Sequence, residues 1–336
     1  MKIAILTPTF APFSGIDKIV EHQETELSRQ GHEVTIFCLE AQMRPRHAKL
    51  VELGMPKSLL LQRLYRLFFF MDFVKIDRAV RMLKGYDLMI CHLYPMTLIA
   101  TEARKRYRIK YTYYNAGVAE PAAFSSLAER AYMRLFTYLT NESVSNADSA
   151  VSISRYLQGK LKRETGLGST VEHVFVDKKR FNKRNSGAAI RRKYKLGRSP
   201  VMLYVGRLSP HKGVHILLKV YKLVKEHVPD VKLIVAGKAT FPAYSRELRK
   251  LADRDVIFTG FVPEKDFPEL YAACDVYTTC TLWEGFDIPI VEANLTGKPA
   301  VAFDIGAHPE VLRKGRLVRK GDTDAFTKAV VSYLKK

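Results

Sequence analysis

Leu282-Trp-Glu-Gly-Phe-Asp-Ile-Pro-Ile-Val-Glu-Ala-Asn-Leu-Thr-Gly-Lys-Pro299 holds two carboxylates, Glu284 and Glu292, eight positions apart. The run before it, Asp275-Val-Tyr-Thr-Thr-Cys280, is β-branched and apolar and predicts a buried strand. Asp287 is placed to cap a helix, Pro289 suits the first turn, and Gly297 followed by Pro299 ends it. The stretch therefore reads as strand end, tight loop and short helix, with Glu284 in the loop and Glu292 about one turn inside. The free N–H groups of a first helical turn suit a phosphate. Two acids beside such a turn do not bind the phosphate; they suit sugar hydroxyls, which donate hydrogen bonds to carboxylates.

Outward from this stretch, strands and helices alternate along all 336 residues. Strands are expected at 2–7, 33–39, 87–92, 110–115, 149–153 and 170–175, then at 201–205, 231–236, 256–260, 275–280 and 299–303. Runs such as Lys2-Ile-Ala-Ile-Leu6 and Leu233-Ile-Val-Ala236 are apolar without alternation, as in parallel strands covered on both faces. The expected fold class is α/β, with two Rossmann-like doubly wound parallel-sheet domains. The expected division is an N-terminal domain 1–177, a basic interdomain connection 178–199 carrying a short helix near Ala188 to Leu196, and a C-terminal domain 200–336. Open sheets of this kind bind ligands beyond the carboxyl ends of their strands, so two facing domains make a cleft.

Composition sets bounds. Hydrophobic residues make up 47% of the chain, and no apolar run is long enough to span a bilayer. The N-terminus enters a strand directly and lacks a signal-peptide layout, so a cytoplasmic location, peripheral on the inner face of the cytoplasmic membrane, is expected. Cys38, Cys91, Cys274 and Cys280 lack metal-ligand spacing and read as small buried apolar residues. The net charge of +21 favours an anionic partner such as phosphorylated substrate, acidic lipid or nucleic acid; a merely solvated basic surface is the alternative. Nucleic acid is not expected, because no recognition motif with base-stacking aromatics is found.

The acidic stretch resembles the E-x7-E signature of retaining glycosyltransferases of GT-B fold, glycosyltransferase family 4. Val205-Gly-Arg-Leu-Ser-Pro-His-Lys-Gly-Val214 is similar to the family's G-R-L-x-x-x-K-G segment, and Asp304-Ile-Gly-Ala-His-Pro-Glu-Val311 to the segment after the acidic motif. Pro8 to Gly31 resembles the first strand, glycine loop and helix. Asp148-Ser-Ala-Val-Ser-Ile-Ser-Arg-Tyr-Leu157 resembles the last strand–helix unit of the N-terminal domain. The matches come in the family's order and cover nearly the whole chain.

The resemblance implies a retaining transfer of a sugar from a UDP- or GDP-sugar to a hydroxyl acceptor, lipid-linked or a glycan. It also implies front-face substitution without a metal or other cofactor. Arg207 and Lys212 would clamp the diphosphate and stabilise charge growing on the leaving nucleotide. Glu284 would meet the transferred sugar near the reacting carbon, and Glu292 the ribose hydroxyls. Gly285, Phe286, Asp287 and Ile288 would present backbone N–H groups, Val262 would meet the nucleobase, and Gly15, after Ser14, would approach the β-phosphate. Asp287 departs from the family's second glycine, which opens the donor's identity. Asn115 falls where the family carries a sugar-contacting histidine, and His92, ending a strand, is a candidate acceptor contact. The D-x-D pairs Asp253/Asp255 and Asp322/Asp324 read as helix-end caps and solvated charges. Family members continue past the helix from Asp322 into one that crosses back to the first domain; a chain ending at Lys336 would leave domain closure looser or dependent on a partner. Another GT-B enzyme, a phosphorylase or sugar-nucleotide epimerase, is the alternative.

Lys57 to Lys84 has seven basic and two acidic residues interleaved with leucines and phenylalanines. A basic amphipathic helix with exposed aromatics lies on an anionic membrane surface. The same pattern fits a long helix packed on the N-terminal sheet.

Overall fold

The structure, a computed structural model, describes residues 1–12, 15–124, 126–239 and 241–335. Contacts divide it into two compact units, Met1–Pro121 with Ser126–Phe175, and Val176 onward with the short segment around Phe124.

The first unit runs β1 (Lys2–Leu6), β2 (Thr9–Phe10), α1 (Gly15–Arg29), β3 (Glu33–Cys38), β4 (Glu40–Ala41) and β5 (Lys49–Glu52). It continues through α2 (Leu59–Leu67), α3 (Phe73–Met82), β6 (Leu88–Cys91), α4 (Met96–Tyr107) and β7 (Lys110–Asn115). It ends with α5 (Leu127–Val144), β8 (Ser149–Ser152), α6 (Arg155–Thr165) and β9 (Thr170–Val171). Seven of these strands form a parallel sheet in the order β5-β3-β1-β6-β7-β8-β9, and β2 pairs with β4 apart from it. Apolar side chains fill both faces. Ile5, Val20, Val34 and Ile36 pack together under α1, and Leu6, Phe37, Met89, Ile99 and Tyr111 pack with α3 and α4 on the other side. Buried Glu24 of α1 accepts hydrogen bonds from the backbone N–H groups of Arg46 (3.0 Å), His47 (3.3 Å) and Ala48 (3.2 Å), pinning the loop before β5.

The second unit runs α7 (Ala188–Lys193), β10 (Val201–Val205), α8 (Val214–His227), β11 (Lys232–Ala236), α9 (Pro242–Leu251), β12 (Val256–Gly260) and α10 (Phe267–Ala273). Then come β13 (Val276–Thr279), α11 (Ile288–Leu295), β14 (Ala300–Phe303), α12 (His308–Val311), β15 (Gly315–Val318) and α13 (Thr323–Leu334). Its parallel sheet has the order β12-β11-β10-β13-β14-β15. The central strands β10, β13 and β14 are buried at every position, while the edge strand β15 is half exposed. The strand order reverses between β10 and β13, so their carboxyl ends flank the crevice in which such sheets bind ligands.

The basic stretch 178–199 packs on the second unit. Gly187 lies so close to the α10 backbone that a Cβ would stand 2.3 Å from Ala273, and Arg191 donates to the carbonyls of Ala273 (2.6 Å) and Ser199 (2.6 Å). Phe181, Ile190 and Leu196 are buried. Arg191 and this apolar minority anchor the stretch to the second unit. Lys57 to Lys84 differs from one continuous helix: α2 and α3 are separated by a turn of 3-10 helix at Phe69–Met71, and Asp72 caps α3 through Lys75 N–H (3.0 Å). Leu67, Phe69, Ile76 and Val80 pack inward, leaving the opposite side exposed.

Candidate active site

Close backbone approaches fuse the loop after β10 to those after β11 and β13. A Cβ on Gly237 would stand 1.9 Å from the Gly206 carbonyl oxygen, and one on Gly213 1.9 Å from that of Cys280. Gly213 also has φ +65°, where side chains are disfavoured, so two independent constraints select glycine there. The 3-10 turn Pro210–Lys212 is tied down by the His211 carbonyl, which accepts from Leu282 N–H (2.8 Å) and Thr281 Oγ1 (3.2 Å).

This clamp carries Lys212 to Glu284, and the two side chains form a hydrogen-bonded ion pair that is more than four-fifths buried on both sides. Arg207, exposed just beyond β10, has no hydrogen-bond or ion-pair partner for its guanidinium among the described residues; its carbonyl accepts from Tyr204 Oη (3.1 Å). His211 between them is pushed down to about 3 by burial and then by the charges of Lys212 and Arg207, so its ring is neutral.

Asp287 caps α11, accepting from Ile290 N–H (3.4 Å) with its backbone at φ 66°. Its other oxygen lies 2.9 Å from His308 Nε2. The turn before α12 supports the same loop from behind: Ala307 N–H donates to the Glu284 carbonyl (3.3 Å), and a Cβ on Gly306 would stand 2.1 Å from that oxygen. Glu292 is 4% exposed and accepts a 2.6 Å hydrogen bond from Tyr271 Oη. Beneath the acids lie the phenols of Tyr204 and Tyr277, pushed well above their ordinary values by burial first and by Asp287 next, so the floor is neutral.

Lys212, Glu284 and Asp287 thus converge at the ends of β10 and β13, with Glu292 held one turn inside α11. Gly285 and Phe286 are buried within the loop and Ile288 is half-buried at the helix start. Val262 is buried after β12, two strands from β10. Sequence reading missed His308, Tyr271, Tyr204 and Tyr277; a tyrosine in or under a strand carries the pattern of core, and nothing in the spacing ties position 308 to 287.

In the first unit, Gly15 opens α1 and is exposed, while Ser14 lies outside the described residues. His92 is wholly buried at the end of β6, with Nε2 2.9 Å from Gln23 Oε1 and its pKa lowered to about 3 by burial. Asn115 spends its amide on the fold: Nδ2 donates to Ser152 Oγ (3.1 Å) and the Leu157 carbonyl (3.2 Å), and Oδ1 accepts from Gly117 N–H (3.1 Å). Both side chains therefore brace the ends of β6 and β7.

Among the described residues no cluster of three His, Cys, Asp or Glu side chains could hold a metal. Asp253 and Asp255 both bind Lys225, at 2.8 and 2.5 Å, and Asp322 caps α13. The four cysteines are free and buried. No helix is long and apolar enough to cross a membrane among the described residues.

The family model "Glycosyltransferase Family 4" matches residues 13–180, half of the chain, and "Glycosyl transferases group 1" matches 199–336. The chain belongs to glycosyltransferase family 4. Among curated members, it is 30% identical over 207 residues to a GDP-mannose-dependent alpha-(1-6)-phosphatidylinositol monomannoside mannosyltransferase of Mycolicibacterium smegmatis, covering 56% of this chain and 53% of that one. It is 32% identical over 149 residues to O-antigen chain mannosyltransferase B of Escherichia coli, covering 42% and 39%. The chain thus spans about half or less of these relatives' length. The family's GT-B fold is seen in solved structures: sucrose-phosphate synthase of Thermosynechococcus elongatus (TM-score 0.83, 18% identity, 100% of this chain and 90% of that one) and Anabaena HepE in complex with UDP and glucose (0.78, 22%, 99% and 89%).

Proposed function

We propose that this family member is a retaining, metal-independent glycosyltransferase using a nucleoside diphosphate sugar and a hydroxyl acceptor, lipid-linked or part of a glycan. The observation that carries the reading is the Lys212–Glu284 pair at the sheet's reversal point, with Arg207 exposed on the same loop after β10. The pair is two half-sites held together. A diphosphate takes the ammonium, a sugar hydroxyl takes the carboxylate, and Arg207 adds a forked cation for the phosphates. The acceptor hydroxyl attacks the anomeric carbon on the face from which the diphosphate departs. The bond from that carbon to the phosphate oxygen breaks as the new glycosidic bond forms, and the acceptor's proton passes to the departing phosphate. Lys212 and Arg207 stabilise the charge that grows there.

The GDP-mannose named for the mycobacterial relative and the UDP of the HepE complex set the donors to test first. Incubation with labelled GDP-mannose and UDP-glucose, with membrane lipid extract and EDTA, should give a labelled product of unchanged anomeric configuration. Neither donor bound nor consumed, or full activity in Arg207→Ala and Glu284→Ala, would sink the reading.

A lipid-linked acceptor is favoured by one further observation. Leu60, Met71, Phe73 and Val74 of the α2–α3 segment are exposed by 53% or more of their surface, as are Leu127 and Tyr138 of α5. Arg63 joins the two segments by two hydrogen bonds to Glu129 (2.7 and 2.6 Å). Exposed Lys57, Arg78, Lys84 and Arg134 belong to the same stretches of chain, and a basic residue near an anionic bilayer contributes about 1 kcal/mol. Co-sedimentation with phosphatidylserine vesicles should exceed that with phosphatidylcholine and fall in Phe73→Ser/Val74→Ser; Phe69, in the core, is not a fair probe. Equal binding of both lipids, or by the variant, would refute membrane docking.

A further inference from the structure

His308 is wholly buried, and both of its ring nitrogens face acceptors: Nδ1 lies 2.7 Å from the Phe303 carbonyl oxygen and Nε2 2.9 Å from Asp287 Oδ2. A carbonyl can only accept, so Nδ1 carries a proton. A neutral imidazole would then turn the Nε2 lone pair towards a carboxylate oxygen, two acceptors in contact. One more proton must lie between Nε2 and Oδ2.

We infer that His308 is a positioning residue of the donor site, an imidazolium that neutralises Asp287 at the first turn of α11 and fixes the acidic loop. The inference rests on the reading of this loop as the donor site. A bare carboxylate at Asp287 would repel a diphosphate approaching the N-terminus of α11. Paired with His308, Asp287 keeps its helix-capping bond to Ile290 N–H while its charge is cancelled. The residue at 287 holds φ 66°, a conformation that glycine adopts freely and aspartate less so, so the side chain must return a compensating interaction. The groups facing His308 are Asp287 and Glu284 from the loop before α11 and the Phe303 carbonyl from β14. Burial alone would lower its pKa, but Asp287 and then Phe303 and Glu284 act the other way and the net direction is up.

The sign follows. Below its raised pKa the pair is neutral overall and the loop is set; as the pH rises through that pKa the imidazole loses its Nε2 proton, the contact becomes repulsive and the Asp287 charge is no longer cancelled. Nucleotide affinity therefore falls on the alkaline side, by about tenfold for one such charge in a partly buried site. Asp287→Asn separates the pieces: asparagine tolerates the left-handed backbone, can still cap Ile290, and donates to a neutral His308 from its amide.

The test is nitrogen-15 NMR of the His308 ring in the intact, nucleotide-free protein across pH 6 to 10, beside calorimetric titration of GDP and UDP over the same range. Wild type should show both ring nitrogens protonated at pH 7 and a titration only on the alkaline side of that; Asp287→Asn should show a singly protonated ring at pH 7 and no alkaline loss of nucleotide affinity. A singly protonated wild-type ring at pH 7 overturns the inference whether or not nucleotide binds. An NMR result as expected, with nucleotide affinity independent of pH in wild type, refutes the positioning role. No nucleotide binding at any pH, with the imidazolium present, is instead the failure of the donor-site reading, and the inference built on it falls too.

Discussion

Lys212→Ala separates the structural from the chemical use of the ion pair. Glu284 keeps only 16% of its side-chain surface exposed, so removing the ammonium strands a mostly buried carboxylate. Breaking a fully buried pair costs about 3–5 kcal/mol; with this residual exposure about 2 kcal/mol is expected. That corresponds to a fall in the unfolding midpoint of about 4–8 °C for a unit of this size. Loss of the cation that stabilises the leaving diphosphate should cost about a hundredfold or more in kcat. The second variant is Lys212→Ala/Glu284→Gln, in which the stranded charge is neutralised. Thermal unfolding should recover most of the lost stability in the double variant, while steady-state transfer from the donor that wild type uses stays at or below the single variant's rate. Recovery of the rate along with the stability would mean that the pair only holds the loops together, and the clamp argument would be wrong.

Gly213→Ala should cost more than about 3 kcal/mol and abolish donor binding, because the new Cβ meets the Cys280 carbonyl oxygen in a backbone conformation that alanine disfavours; wild-type stability in urea would show the loops to be separable. Glu24→Ala should lose about 3 kcal/mol and raise hydrogen exchange at Arg46, His47 and Ala48, whose N–H groups lose their acceptor; unchanged exchange there would refute the pin. His92 and His211 are both held neutral, with pKa values lowered to about 3 by burial first. Unfolding lets each take a proton, so stability falls as the pH drops below about 6.5, by up to about 1.4 kcal/mol per pH unit per histidine. His92→Gln should flatten the dependence of the urea midpoint between pH 6 and 4; an unchanged slope would place the acid sensitivity elsewhere.

The central strands were legible because parallel strands buried on both faces are continuous apolar runs, and β1, β10 and β14 read that way without ambiguity. β5 and β15 were not, since Lys49-Leu-Val-Glu52 and Gly315-Arg-Leu-Val318 are short, partly polar edge strands. The two-residue strands β2 and β4 carry no period at all. Lys57 to Lys84 gave its amphipathic face but not its break, which depends on Phe69 turning inward and Asp72 capping the next helix. In the stretch 178–199 charge dominates the pattern, and the few buried residues that pack it on the second unit, Phe181, Ile190 and Leu196, are sparse. At the site, local grammar placed Lys212, Glu284 and the Asp287 cap. Side-chain direction was not local: His92 and Asn115 stand at the ends of neighbouring strands as expected, yet their polar atoms are directed into the fold. The Asp287–His308 contact joins residues 21 positions apart and exists only once β14 lies beside β13.

Calorimetric titration of GDP and UDP into wild type and Lys212→Ala, in EDTA at neutral pH, bears most directly on the central claim. One of the two nucleotides should bind the wild type without metal, and the variant should bind it at least about tenfold more weakly, the scale of one lost charged hydrogen bond. Absence of binding to wild type, or equal affinity in the folded variant, would contradict it.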